Sequence, residues 1–167
     1  TARLVAQVSS WDRLKDPDGI LECLAEELLH VENVHLLLAG PDPAAVADDP
    51  EGALVWSEVG ARRAALPAAI RRRVHLAGLP LDDLDENGAV VNAIQRRADV
   101  VLQKSLAEGF GLTVTEAMWK RRPVVGSRVG GIAEQIVDGE SGLLIDPRDP
   151  RALAPAVLKL VGDESFA

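Results

Sequence analysis

Apolar positions along the chain switch repeatedly between two patterns, short unbroken runs and residues spaced three and four apart, the periods of a buried strand and of an amphipathic helix. The first run, Arg3–Val8, reads as a strand, and Ile20, Leu21, Leu24, Leu28 and Val31 then mark one face of a helix. Residues 34–39 are apolar without alternation and end at Gly40-Pro41, as expected of a strand covered on both faces. After a Pro- and Asp-rich loop at 41–52, Leu54, Val55, Val59 and Leu66 predict a weaker helix closed by Pro67, and 74–77 a third strand. Val90, Val91 and Ile94 lie on a helix leading to the strand 99–103, followed by a glycine-bearing loop at 109–111 and a helix carrying Val114, Ala117 and Met118. The strand 123–126, a short helix at 132–137, the strand 142–145 and a last helix from about Asp149-Pro150 complete the pattern. Pro155 predicts a kink or a late start in that helix, because an interior proline removes a backbone hydrogen bond. Six strands alternating with six helices define an α/β class: a three-layer Rossmann-like domain, its six-stranded parallel sheet covered by helices on both faces.

At 167 residues the chain fits a single domain, 1–167, with a core of its own. The net charge of −8 argues against a nucleic-acid binder, which needs a basic surface to displace counterions, but leaves room for a small anion in a local basic pocket. Cys23 has no partner for an internal disulfide and, on a predicted helix, reads as a small buried hydrophobe. No apolar run approaches a membrane span, and Thr1-Ala2-Arg3 has no charged-then-apolar signal pattern, so the cytoplasm is the expected location. The chain opens directly into a strand-like run without Met, and a removed preceding segment is expected. Nothing in the pattern fixes the oligomeric state, and a homodimer is allowed.

In an open parallel sheet a ligand sits beyond the carboxyl ends of the strands, so the loops that follow the strands carry the functional information. Arg13 and Lys15 follow the first strand, as phosphate-binding cations or as solvated loop charges. The segment from Lys104 to Glu116 says more. Gly109 and Gly111 let backbone approach a ligand, and the next helix offers free N–H groups and a positive dipole end to a phosphate. Lys104 adds a cation at the same edge. Glu116 is placed to take two hydroxyls of a sugar, or else closes a capping box with Thr113. Gly130-Gly131 reads as a tight turn ahead of a close-approach site. A dinucleotide-dependent dehydrogenase is disfavoured, since the first loop has no G-x-G-x-x-G.

Glu108 and Glu116, with Glu108-Gly109-Phe110-Gly111 between them, resemble the E-x7-E motif of retaining glycosyltransferases with the GT-B fold, the group that includes sucrose, glycogen and trehalose synthases. Gln7-Val8-Ser9, Trp11-Asp12, Leu14-Lys15-Asp16-Pro17 and the stretch 92–126 with Gln103-Lys104-Ser105 are similar, more narrowly, to trehalose synthases that join nucleotide-activated glucose to free glucose. The resemblance covers nearly the whole chain as the C-terminal half of a GT-B fold, and implies an N-terminal acceptor domain outside it. It implies that Glu116 binds the donor ribose and that Glu108, with the backbone of Gly109, Phe110 and Gly111, holds the transferred glucose. Leu112 and Thr113 would give N–H groups to the diphosphate, Lys15 would neutralise it, and the nucleoside diphosphate glucose would be a substrate, with no cofactor. No metal is implied, and His30, His35, His75 and Cys23 show no metal-ligand spacing. A trehalose phosphorylase of the same fold and a catalytically silent nucleotide-binding domain are the alternatives. The second draws on Ser10, which stands where the family has an Arg five residues before Lys15; Arg13 is the candidate replacement.

Overall fold

A computed structural model of the chain describes residues 1–27 and 30–162. Six strands, β1 (Arg3–Val8), β2 (Val34–Pro41), β3 (Val74–Leu79), β4 (Val100–Gln103), β5 (Val124–Ser127) and β6 (Leu143–Ile145), form one parallel sheet in the order β3-β2-β1-β4-β5-β6. The predicted Rossmann-like α/β architecture is therefore present, with the change of winding direction between β1 and β4.

Successive strand residues point to opposite faces, which is why runs without alternation were needed here. Val5, Val100, Leu102 and Val125 enter a core with α1 (Pro17–Ala25), α2 (Pro50–Ala65) and α7 (Leu153–Gly162). Their neighbours Ala6, Val101 and Val124 enter a second core on the other face, with α5 (Leu112–Trp119) and α6 (Gly130–Gln135). Ile94 of α4 (Leu84–Arg97) packs against that second core.

Helix starts follow local chemistry. Asp16 adopts the left-handed conformation (φ 49°) and its carboxylate accepts the Gly19 N–H at 3.1 Å, with Pro17 in the first turn of α1. Asp49 caps α2 in the same way through the Gly52 N–H at 2.8 Å. That cap starts α2 within the loop predicted at 41–52, and it leaves Leu54 exposed instead of on the buried face with Val55 and Val59. A four-residue helix, α3 (Ala68–Arg71), was not predicted; it turns the chain after Pro67. Pro155 produces the late start: α7 begins at Leu153, so the proline lies in the first turn, where its missing N–H has no partner to lose. The predicted helix position Leu28 lies outside the described residues.

Two histidines that look scattered in the sequence meet on the sheet. His35 of β2 and His75 of β3 stack with centroids 5.3 Å apart, Nδ1 of the first 3.0 Å from Nε2 of the second. Cys23 is partly buried against the first core, and burial pushes its thiol pKa up, as suits a packing residue. No helix among the described residues is long and apolar enough to cross a membrane.

Candidate functional site

A cleft of about 330 Å³ opens beyond the carboxyl ends of β1 and β4, at the switch of winding direction. Its first wall is the loop after β1. Asp12 accepts the N–H groups of Leu14 (2.8 Å) and Lys15 (3.1 Å), which winds Arg13–Lys15 into a single 3-10 turn. The Ser10 hydroxyl donates to the other Asp12 oxygen at 2.8 Å. The turn returns the Lys15 side chain to the cleft and leaves Arg13 outside it. Gln7, 1% exposed, ties this wall to the other: its amide donates to the Lys15 carbonyl (2.8 Å) and accepts the Lys104 N–H (2.9 Å).

The opposite wall is the segment from Gln103 to Thr113. One carboxylate oxygen of Glu108 pairs with the Lys15 ammonium and also accepts the Ser105 hydroxyl (3.2 Å) and the Gln103 amide (3.3 Å). The predicted cation and anion are thus salt-bridged across the cleft. Gly111, with φ 85°, begins α5 without any side-chain cap, and Gly111, Leu112 and Thr113 line the cleft, so the start of the helix stands at its wall unclaimed by side chains. Phe110 and Leu112 stand exposed at its mouth. A Cβ on Gly111 would come within 2.9 Å of Ile132, so glycine is required there by packing as well as by φ.

The description "Glycosyl transferases group 1" matches the chain over residues 3–163. The chain belongs to that family. It is similar to the trehalose synthase of Rubrobacter xylanophilus, 43% identical over 96% of this chain and 35% of that protein, and to that of Pyrococcus horikoshii, 40% identical over 95% and 35%. Among solved structures it is similar to a sucrose-phosphate synthase from Thermosynechococcus elongatus, with TM-score 0.75 and 28% identity over 99% of this chain and 38% of that one. The chain is a C-terminal GT-B domain, and it spans about a third of the length of the curated relatives it matches.

Within this glycosyltransferase domain Lys15, Glu108, Phe110, Gly111, Leu112 and Thr113 all line the cleft. Other predicted residues stand elsewhere. Arg13 is held by Glu58 of α2, its two terminal guanidinium nitrogens each 3.0 Å from a carboxylate oxygen, and that hydrogen bond raises its pKa further. Gly109 serves the loop itself, its carbonyl accepting the Gly131 N–H at 3.0 Å. Glu116 lies one helical turn beyond Leu112 and Thr113 on the same side of α5. The capping box is not formed: α5 starts at Leu112, the Glu116 carboxylate accepts from Gln95 at 2.7 Å, and Thr113 turns to the Val8 carbonyl at 3.5 Å.

Lys104 is also redirected. At 2% exposure it is buried, pairing with Asp16 and donating to the Pro147 carbonyl at 3.1 Å, so its charge is used in the core and not at the ligand edge. Gly130 and Gly131 make a close approach to the 108–110 backbone: a Cβ on Gly130 would fall 1.8 Å from the Glu108 carbonyl oxygen. Roles for the glutamines were not predicted: Gln7 and Gln103 were named only within the resemblance, and Gln95 and Gln135 carried no assignment. Gln7, Gln95 and Gln103 are buried, and Gln135 donates to the Phe110 carbonyl at 2.5 Å while accepting from Thr115 at 2.5 Å. Beyond the resemblance, the signal for Gln7 and Gln103 is position: each is a polar side chain near the end of an apolar strand run, where it must find a partner.

Proposed function

We propose that the chain is the donor-binding domain of a retaining glycosyltransferase that moves glucose from a nucleoside diphosphate glucose to a sugar acceptor, glucose itself, giving trehalose. The observation that carries this reading is the meeting of Lys15, Glu108 and the uncapped start of α5 in one cleft at the β1–β4 switch. Membership of the family supports it, as do relatives named trehalose synthase.

The roles follow from the chemistry of the groups. The first N–H groups of α5, at Leu112 and Thr113, meet the diphosphate together with the Lys15 ammonium. Glu108, with the backbone of Gly109, Phe110 and Gly111, takes sugar hydroxyls, and Glu116 takes the ribose diol. In the transfer the bond from the anomeric carbon to the phosphate oxygen breaks while the acceptor hydroxyl oxygen bonds to that carbon from the same face. The acceptor proton passes to the departing phosphate oxygen. Lys15 and the helix start stabilise the charge developing on the leaving group, the work a divalent ion would otherwise do. Acceptor groups are assigned to an N-terminal domain across the cleft, so this chain binds donor or nucleoside diphosphate but does not transfer sugar.

The test is calorimetric titration of the chain with ADP, UDP and GDP and their glucose conjugates, chelator present, repeated with Lys15→Ala and Glu116→Gln. Binding to one nucleotide series, weakened about tenfold or more by each substitution, is the expected result. Absence of binding in every series sinks the reading. A second reading, a silent nucleotide-binding domain, is favoured by Ser10: its hydroxyl is spent on Asp12, and Arg13 is engaged by Glu58 instead of facing the cleft. Nucleotide binding without turnover after fusion to an N-terminal domain, restored by Ser10→Arg, would favour that reading.

A further inference from the structure

α4 is an exposed helix, and Gln95 is its one buried residue, at 1% exposure. A glutamine in that position costs stability unless both ends of its amide are bonded. Both are. The Gln95 nitrogen donates to one Glu116 oxygen at 2.7 Å, and the Gln95 oxygen accepts from the Lys120 ammonium at 2.5 Å. The orientation of the amide is fixed by chemistry: an ammonium only donates and a carboxylate only accepts, so a flipped amide would lose both bonds. Among the described residues no hydrogen bond reaches the second Glu116 oxygen.

We propose that Gln95 is a positioning residue that locks the rotamer of Glu116 from behind and so sets how strongly the domain prefers a ribonucleotide. The inference rests on the reading above, in which Glu116 meets the ribose diol. One carboxylate oxygen is pinned to Gln95, and the other is left for two hydroxyls. Lys120 acts one step further back by holding the amide. A free glutamate would have to be ordered each time a nucleotide binds, whereas this one is ordered beforehand. Leucine could fill the space of Gln95 but could not orient a carboxylate, which distinguishes a positioning role from simple packing.

The experiment compares the tightest binder among ADP, UDP and GDP with its 2′,3′-dideoxy analogue, on the wild-type chain and on Gln95→Leu, Lys120→Met and Glu116→Gln. Gln95→Leu is expected to lower the ribo-over-dideoxy preference by about five- to tenfold, approaching Glu116→Gln, with dideoxy affinity unchanged. Lys120→Met is expected to shift it in the same direction by less, and it carries the test if Gln95→Leu does not fold by circular dichroism. If folded Gln95→Leu and Lys120→Met both keep the full preference while Glu116→Gln loses it, Gln95 is only a packing residue and the inference is overturned. If the wild-type chain itself binds both nucleotides equally, Glu116 does not meet the ribose, and the inference falls with that assignment.

Discussion

The pairing of Lys15 with Glu108 means that the two charges of the cleft satisfy each other. On the reading proposed above, a diphosphate has to share or displace that contact, while a sugar occupying Glu108 would release the ammonium for the phosphate. Glu108→Gln should therefore tighten binding of the bare nucleoside diphosphate severalfold and abolish the extra affinity of the glucose conjugate, measured side by side by calorimetry. Gly130 shows the opposite kind of constraint. Its φ of 44° and the 1.8 Å approach to the Glu108 carbonyl leave no room for a methyl group. Gly130→Ala should cost at least ~2 kcal/mol, visible as a fall of several degrees in melting temperature, and should weaken nucleotide binding by displacing Glu108. The sequence exposed the glycines of both loops, but not that Gly130 serves Glu108: a positive φ is a local property, whereas the neighbour it admits is a tertiary one.

At the scale of elements, strands were legible because a two-sided buried sheet demands unbroken apolar runs, and helix ends were less so because side-chain caps decide them. Asp49 moved α2 earlier than its apolar positions implied, and Gly111 began α5 before the Thr113 cap that the sequence allowed. Asp16 carries two loads, the cap of α1 and the partner of buried Lys104. Removing it leaves that ammonium unpaired, so Asp16→Ala should destabilise by about 3–5 kcal/mol in denaturant titration, and Asp16→Ala/Lys104→Met should recover a large part. The β2–β3 pair adds a pH dependence. Burial, then the neighbouring His35 and Arg63, hold the His75 pKa below its ordinary value. The folded chain thus takes up that proton less readily than the unfolded one, and stability contributed by neutral His75, complete above the ordinary histidine pKa, is lost as pH falls below about 6.5. Melting temperature should drop between pH 7.5 and 5.5, and less steeply in His75→Gln.

For the whole molecule, alternation of strand and helix patterns was sufficient to predict six parallel strands between two helical layers. Strand order then follows from the right-handed crossover of each β-α-β unit and a single reversal of winding, which also fixes where a cleft must open. The cleft residues were legible for a related reason, since loops after strands β1 and β4 have to converge there. What the sequence withheld were the roles of the buried glutamines, because an amide is informative only once both of its partners are known. The buried ammonium of Lys104 fastens the loop after β4 both to the start of α1, through Asp16, and to the segment after β6, through Pro147. Three of the loops at the ligand edge are therefore riveted at one point inside the domain, like staves under a hoop. On the reading proposed above, closure around a nucleotide is expected to carry these three loops together as one body.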